Sequence, residues 1–484
     1  MSDFEPQKKS GPLWPIATVM ATGVFATTFV QTQCLGSQPI NSLLMDQMKL
    51  DSDVAATFVT LSTLPWTFKS IAGLLVDRVP LFGSHRRSYL LLSALLAIGM
   101  WLLMGLESTH YHLLLACAIG MNAALVLGST TANGLLVEAG QRTGASGRLS
   151  SLRQFGYTLA SVIAAPAGGY LAGRALGWTS AVAILPLACL FFAAWFLLKE
   201  SPVIKHTSGF ADAIWEIVRP LPRRVDFIGS LAVILLAYYY FDRFLLGLQL
   251  LSTAFCIWIL IEMVALHRND TPRWQLYLPA VLVCFIQAVP TFRSTCFYEY
   301  QTKTLAYTNV QMGWLSLVGF GVALLSSGVY AWGCRKISLR TSLYAAIVLT
   351  ALSCLPYLFY IPAVNVPPGK YSWILEIIYV MQYNPRACFI EGVGTFLQYL
   401  AFVPLFDLMI RSTPKGGEAL GFAVLISIWN IGLMIGGKTG PMLYEHTFHK
   451  DMNSLIWLNA LVTLAGVVIV FLLPKALVDK REGK

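Results

Sequence analysis

Charge is what this sequence has least of. Only 12% of its 484 residues are Asp, Glu, Lys or Arg, against about 25% in an ordinary soluble protein. A water-facing surface needs charge, so the shortage excludes a soluble enzyme or a nucleic-acid-binding domain of this length. Acids are scarcer than bases, 24 against 34. No CxxC spacing occurs either. The nine cysteines (Cys34, Cys117, Cys189, Cys256, Cys284, Cys296, Cys334, Cys354, Cys388) are odd in number and sit mostly inside apolar runs. They read as buried free thiols, not as a secreted disulfide framework. Walker loop, catalytic triad and haem motif are missing, so no enzyme, no cofactor and no metal centre is expected. Met1 to Pro12 is polar and short, and reads as carrying no cleavable signal.

What is abundant is apolar: 56% of the residues, gathered in blocks. A hydrocarbon layer of about 30 Å takes about 20 helical residues to cross. Apolar windows fall near 13–35, 54–76, 88–107, 112–138, 150–173 and 178–198, then near 276–297, 310–333, 341–362, 387–410, 418–439 and 454–474. A polar linker at 199–226 holds Lys199, Lys205, Arg219, Arg223 and Arg224. The fold class is therefore all-α, a polytopic membrane protein of six plus six helices.

Between the halves, residues 227–266 form a further apolar stretch interrupted at Asp242-Arg243. As one helix at 1.5 Å per residue it would be about 60 Å long, twice the hydrocarbon core. An inserted hairpin turning near Asp242 fits better and brings the count to about 14 spans. One tilted span plus an interfacial helix is the rival, and it would invert the second half. The domains expected are 1–198, 199–274 with the hairpin, and 275–484.

Charge discriminates between the two. With both termini cytoplasmic and fourteen spans, 24 of the 34 basic residues fall on the cytoplasmic side, Arg153 counted among them, and 8 outside. Lys69 and Arg293 remain within spans. This three-to-one bias obeys the positive-inside rule and accounts for the net charge of +10. Segment 363–386, with Pro367, Pro368 and Pro385, is amphipathic and reads as an outer loop with a short interfacial helix.

The stretch after the second span carries Gly73, Asp77, Arg78, Gly83, Arg86 and Arg87. A small residue lets helices approach closely, and an acid beside a basic cluster can pair across helices at the rim. This G-x-x-x-D-R pattern with its basic run resembles the signature of the major facilitator superfamily. A degenerate echo, Gly333-Cys334-Arg335-Lys336 with Arg340, follows the eighth core span. The resemblance implies two six-helix bundles, with the acid capping a neighbouring helix and latching the cytoplasmic side.

The longer run, Leu64-Pro65-Trp66 through Lys69, Gly73, Asp77, Pro80, Phe82-Gly83 and Arg86-Arg87 to Tyr89, is similar to the folate–biopterin transporter family. A second match runs from Pro414 and Glu418 into Phe422, Asn430 and Gly432. Muropeptide transporters share part of the first motif. Two departures stand out. Ser70 replaces a family proline, and Asn133 or Ser129 stands where the family carries an aspartate in the fourth span, although Glu138 is retained.

Ionisable residues inside spans are costly, so each is a functional candidate. Lys69 can attract a carboxylate or phosphate; the competing reading is a snorkelling lysine or a partner of Glu138. Arg293 is a better anion clamp because a guanidinium forks a carboxylate and stays charged. Its structural alternative is a pair with Glu299. Glu391, before Gly392 and Gly394, is a candidate ion-coupling carboxylate, with pairing to Arg386 as the alternative. Glu138 is a second ion-coupling candidate, and Asn133 and Trp429 join the substrate-binding set. Glu262 reads as interfacial. The glycine runs at 166–173 and 432–437 read as packing faces, and His446 and His449 as solvated.

Together these readings predict a secondary transporter working by alternating access, driven by a proton or counter-solute. Its expected setting is the cell membrane, as a monomer, with no nucleic-acid partner. The cargo is a mid-sized organic anion, a folate or pterin by resemblance. A muropeptide, peptide or siderophore permease and a non-transporting assembly factor on the same fold are the alternatives.

Overall fold

The computed structural model describes residues 14–50, 58, 61–63, 65–66, 69–106, 110–172, 174–200, 274–293, 296–297, 300–307, 309–364, 373–414 and 417–481. The expected hairpin at 227–266, Glu262, Cys256 and Glu299 lie outside them, as does the side chain of Arg78. The first half holds α1 (Trp14–Phe29), α2 (Lys69–Arg78), α3 (Arg87–Leu106), α4 (Tyr111–Thr143), α5 (Ser146–Leu171) and α6 (Leu176–Leu197). The second holds α7 (Trp274–Ala288), α8 (Asn309–Gly333), α9 (Leu339–Cys354), α10 (Pro385–Ser412), α11 (Glu418–Met442) and α12 (Met452–Leu472). Eight helices among the described residues are long and apolar enough to cross a membrane. A short helix, Trp373–Tyr383, occupies the segment read as amphipathic.

Local chemistry sets the ends. Asp451 caps α12 by accepting from the amides of Asn453 and Ser454 at 3.1 and 3.3 Å. Ser338 caps α9 through the Thr341 amide, and Pro385 opens α10 at a position that needs no amide donor. Gly144, at φ 64°, ends α4 in the left-handed region. Pro290 follows the end of α7, and α11 packs over that break with glycines. A Cβ on Gly432, Gly436 or Gly440 would meet a backbone oxygen of Cys284, Val289 or Thr291 at 2.6 Å or less. Close backbone approach is the lipid-phase substitute for hydrophobic drive. A Cβ on Gly168 would likewise meet the Leu35 carbonyl at 3.0 Å, so both glycine runs contain packing positions.

The halves repeat one another. α1 packs on α5 as α7 does on α11, and α3 packs on α6 as α9 does on α12. Across the seam, α2 meets α11 and α8 meets α5. Large apolar side chains such as Leu185, Phe196 and Phe471 are two-thirds exposed, as lipid-facing residues are. None of the eight described cysteines is in a disulfide; five are buried, but Cys189 is exposed, contrary to the reading of the thiols as buried.

The apolar core is continuous at one end only. There a single cluster joins Leu74, Leu136 and Leu149 of the first half to Leu408, Phe422 and Leu425 of the second. At the opposite end the core splits. One cluster around Phe29, Trp101 and Leu114 stays in the first half, and another around Phe292, Tyr357 and Leu455 stays in the second. The halves are thus sealed together at the Asp77 end and separate at the other.

Candidate substrate cavity and its latch

Between the halves lies a cavity of about 630 Å³, a size usual for small-molecule sites. Among the described residues its lining includes Lys69, Arg153 and Arg293 and no Asp or Glu. Amides (Gln154, Gln287, Gln398, Asn430) and aromatic rings (Trp66, Tyr157, Tyr399, Phe402, Phe406, Trp429) complete the wall.

Each cation is held by neutral partners. Lys69, only 2% exposed, donates from Nζ to Ser129 Oγ at 2.9 Å and lies 5.3 Å from the Trp66 ring. Trp66 is fixed in turn by donating to Asn122 Oδ1 at 2.9 Å. Arg153 donates to Asn133 Oδ1 at 3.2 Å, and its guanidinium sits 4.0 Å from the Phe406 ring centre. Arg293 donates to Gln398 Oε1 and rests 4.4 Å over the Tyr357 ring. Gly394 makes room there, because a Cβ would meet Arg293 Nη2 at 2.7 Å. That Nη2 and the Nε2 of Gln287 are buried donors without an acceptor. Among the described residues no carboxylate forms an ion pair with any of the three cations.

Trp429 lies at 5.2 Å parallel to Phe406 and at 5.0 Å edge-on to Phe402, a ready stacking wall. Glu391 borders an adjoining cavity of about 470 Å³ that shares Arg293, Gln398, Tyr399 and Phe402 with the central one. Among the described residues it forms no ion pair with Arg386. Instead, Tyr357 donates to its Oε2 at 2.7 Å and Tyr360 to its Oε1 at 3.2 Å.

The Asp77 end carries the contacts of the expected latch. Asp77 Oδ2 accepts from the Leu420 amide at 2.7 Å, and Oδ1 from the Ala419 amide at 3.3 Å. A carboxylate of one half thus caps the first turn of α11 in the other, where the helix dipole favours negative charge. Arg86 clamps the same carboxylate at 2.8 Å and lies within 4.0 Å of Glu138 and Glu418. Gly73 permits this approach, since a Cβ would meet Leu420 Cα at 2.8 Å. Arg87 stays within its own half, donating to the Trp195 carbonyl and stacking on that ring.

Three sequence readings change place. Arg153, counted as a cytoplasmic charge, lines the cavity. Asn133 does not line it but orients Arg153, while Ser129, one turn earlier, faces Lys69. Glu138, half exposed, belongs to the latch cluster and not to the cavity. Lys69 therefore has Ser129 as its partner, not Glu138.

One element escaped sequence reasoning altogether. Asp407, fully buried in α10, accepts from Arg411 at 2.9 and 3.1 Å and from the Tyr330 hydroxyl at 3.0 Å. Arg411 also reaches across the seam to Ser146 Oγ at 3.1 Å, and Gln141 reaches the carbonyls of Ile410 and Thr413. An acid inside an apolar window with a base four residues on was the available signal.

Paired six-helix halves around a central cavity define a membrane transporter of the major facilitator fold. Solved structures of that fold superpose over nearly the whole chain. The human organic anion transporter MFSD10 (TETRAN) matches with a TM-score of 0.62 at 12% identity, over 95% of this chain and 100% of its own. The proton:xylose symporter XylE matches at 0.59 and 12%, over 95% of each. The chain belongs to the BT1 family, whose model matches residues 32–484. Among its relatives are the folate-biopterin transporter of Synechocystis sp., 24% identical over 96% of this chain and 83% of the relative. Probable folate-biopterin transporter 4 of Arabidopsis thaliana is 22% identical over 96% and 95%.

Proposed function

We propose that this BT1 transporter carries a folate or a similar anionic, ring-bearing solute by rocking its two halves around the central cavity. The observation that carries this reading is the lining: among the described residues, three basic side chains, no acid, and an aromatic wall at Phe402, Phe406 and Trp429. Lys69 and Arg153 approach from the first half and Arg293 from the second, so an anion between them is gripped by both. The Gln and Asn side chains supply the amide-edge hydrogen bonds that a pterin ring can satisfy. The halves are sealed at the Asp77 end. With that end cytoplasmic, as the basic-residue bias supports, the cavity faces outward in a cell membrane. The chain acts as a monomer, with 1–198 and 275–484 as the rocking units and 199–274 between them, and a proton gradient supplies the energy.

The test is counterflow in proteoliposomes preloaded with unlabelled folate. Labelled folate is expected to enter saturably, while a muropeptide fragment and xylose stay at background. Folate entry equal to that of empty liposomes, with the muropeptide moving instead, would overturn the reading.

A further inference from the structure

We infer that Glu391 is the proton-binding carboxylate that couples transport to the gradient, and that it acts on the cargo through Tyr357 and Arg293. This rests on the anion reading above and adds how the anion's binding is tied to a proton. The geometry is a three-member relay. The face of the Tyr357 ring supports the Arg293 guanidinium at 4.4 Å, while the hydroxyl of the same ring donates to Glu391 at 2.7 Å. One rigid side chain therefore touches both charges. On the other side, Arg293 keeps Nη2 buried and without an acceptor, pointing to a partner that arrives with the cargo.

Glu391 does not sit in the central cavity. It borders the adjoining one, with Gln301 and Thr395 on its wall, so a proton can reach it beside a bound solute. The groups around it come from every element packed against it. Tyr357 and Tyr360 come from the turn after α9, Arg293 from the turn after α7, and Tyr307 from the segment before α8. Cys388 and Tyr399 share α10 with it, and α8 contributes Met312, Leu315, Ser316 and Phe320, with no charge. Arg293 is thus the one cation among these groups, and Glu391 the one acid.

The sign follows. With Glu391 ionised, its negative charge offsets Arg293 and repels an incoming anion. When a proton binds the carboxylate oxygen, the offset is lost and Arg293 is left to the cargo. Proton and anion therefore favour each other's binding by one common factor. The proton leaves to the opposite side once the cavity has turned over, so the net event is co-transport of a proton with the anion.

The experiment uses the full-length protein in proteoliposomes holding a pH-sensitive dye, with folate as the probe. The KM for folate is expected to fall about tenfold as the external pH is lowered, and folate addition to acidify the lumen. Glu391→Gln, a fixed mimic of the protonated form, is expected to keep folate-for-folate exchange with a KM independent of pH. Accumulation driven by a pH gradient should drop at least tenfold. Tyr357→Phe keeps the ring under Arg293 and removes the relay hydroxyl, so it should shift the midpoint of the KM profile while exchange persists. If Glu391→Gln fails to reach the membrane, the Tyr357→Phe profile decides, and an unshifted midpoint overturns the relay. Gradient-driven accumulation by Glu391→Gln at wild-type level also overturns it. Exchange without lumenal acidification in the wild type refutes coupling and leaves the cargo reading standing. Absence of folate exchange in the wild type refutes the cargo reading itself.

Discussion

Asp77→Asn separates a latch from a loop residue, and the structure sets the size of the effect. Asp77 accepts three N–H groups: two amides of α11 and one Arg86 nitrogen. Its side chain is 5% exposed and that of Arg86 7%. Asparagine keeps the shape but turns one acceptor into a donor, so it faces either Leu420 or Arg86 with N–H against N–H. A hydrogen bond to a charged group contributes roughly 1.5–3 kcal/mol. The loss falls only on the state in which the Asp77 end is sealed, because once that end opens water replaces the partners. A shift of about 2 kcal/mol changes the population ratio by roughly thirtyfold. The assay uses Ser146→Cys in a cysteine-free background, since Ser146 is 5% exposed at the seam, beside Arg411. Its maleimide labelling is expected to accelerate by up to about thirtyfold in Asp77→Asn, while surface level changes little and folate uptake falls. Unchanged labelling together with full uptake at equal expression would refute the argument, and Asp77 would then be an ordinary rim residue.

Other outcomes test the cavity and the topology. Arg293→Ala is expected to raise the KM for folate more than tenfold, because truncating one side of a desolvated charge contact costs about 2–5 kcal/mol. Arg293→Lys should restore only part of this, since the fork is lost; Glu299→Gln, under the same KM assay, should change little. Arg153→Met should weaken folate more than a neutral pterin, read as the ratio of their KM values, and equal losses would mean that Arg153 only props up Phe406. Reporter fusions after Arg224, Arg243 and Arg273 are expected to read inside, outside, inside; an outside signal after Arg273 would remove the inserted hairpin.

How legible all this was depends on where each signal is stored. Lys69 and Arg293 announced themselves because a charge inside an apolar window is rare and costly. Arg153 did not, because hydropathy finds the apolar middle of a span and misplaces its ends. α5 begins at Ser146 and has made about two turns before Arg153, yet a window beginning near residue 150 puts that arginine at the rim. Asn133 and Ser129 shared one expectation in sequence, and a single helical turn assigned them to different cations. The latch acid was visible, but its partners are the backbone amides of Ala419 and Leu420, some 340 residues away, and a backbone donor leaves no trace in residue type. Glycine was more informative than charge on packing: Gly73 and Gly432 each mark a backbone approach that a side chain would block.

The charge layout also bears on how the cycle is driven. At the sealed end, the halves are joined by Asp77 on α11, by Arg411 on Ser146, and by Gln141 on Ile410 and Thr413. Each is a polar contact at the edge of a shared apolar cluster, and each vanishes when that end opens. At the other end the described halves are joined by no such hydrogen bond, and their cores are separate. The cavity has Lys69 and Arg153 on one wall and Arg293 on the other. On the proposed reading, repulsion between cations on the facing walls opposes closure of the open end. An anion reverses it, because the same three charges now draw both walls towards one ligand. On the proposed cargo, binding therefore supplies at the open end the attraction that must be given up at the sealed end. A neutral solute of equal size would fill the space without supplying it. A ligand shifts a two-state equilibrium only by its differential affinity for the two states. That is why the cations must stand on opposite halves, and why a second cation on one wall cannot substitute for Arg293 on the other.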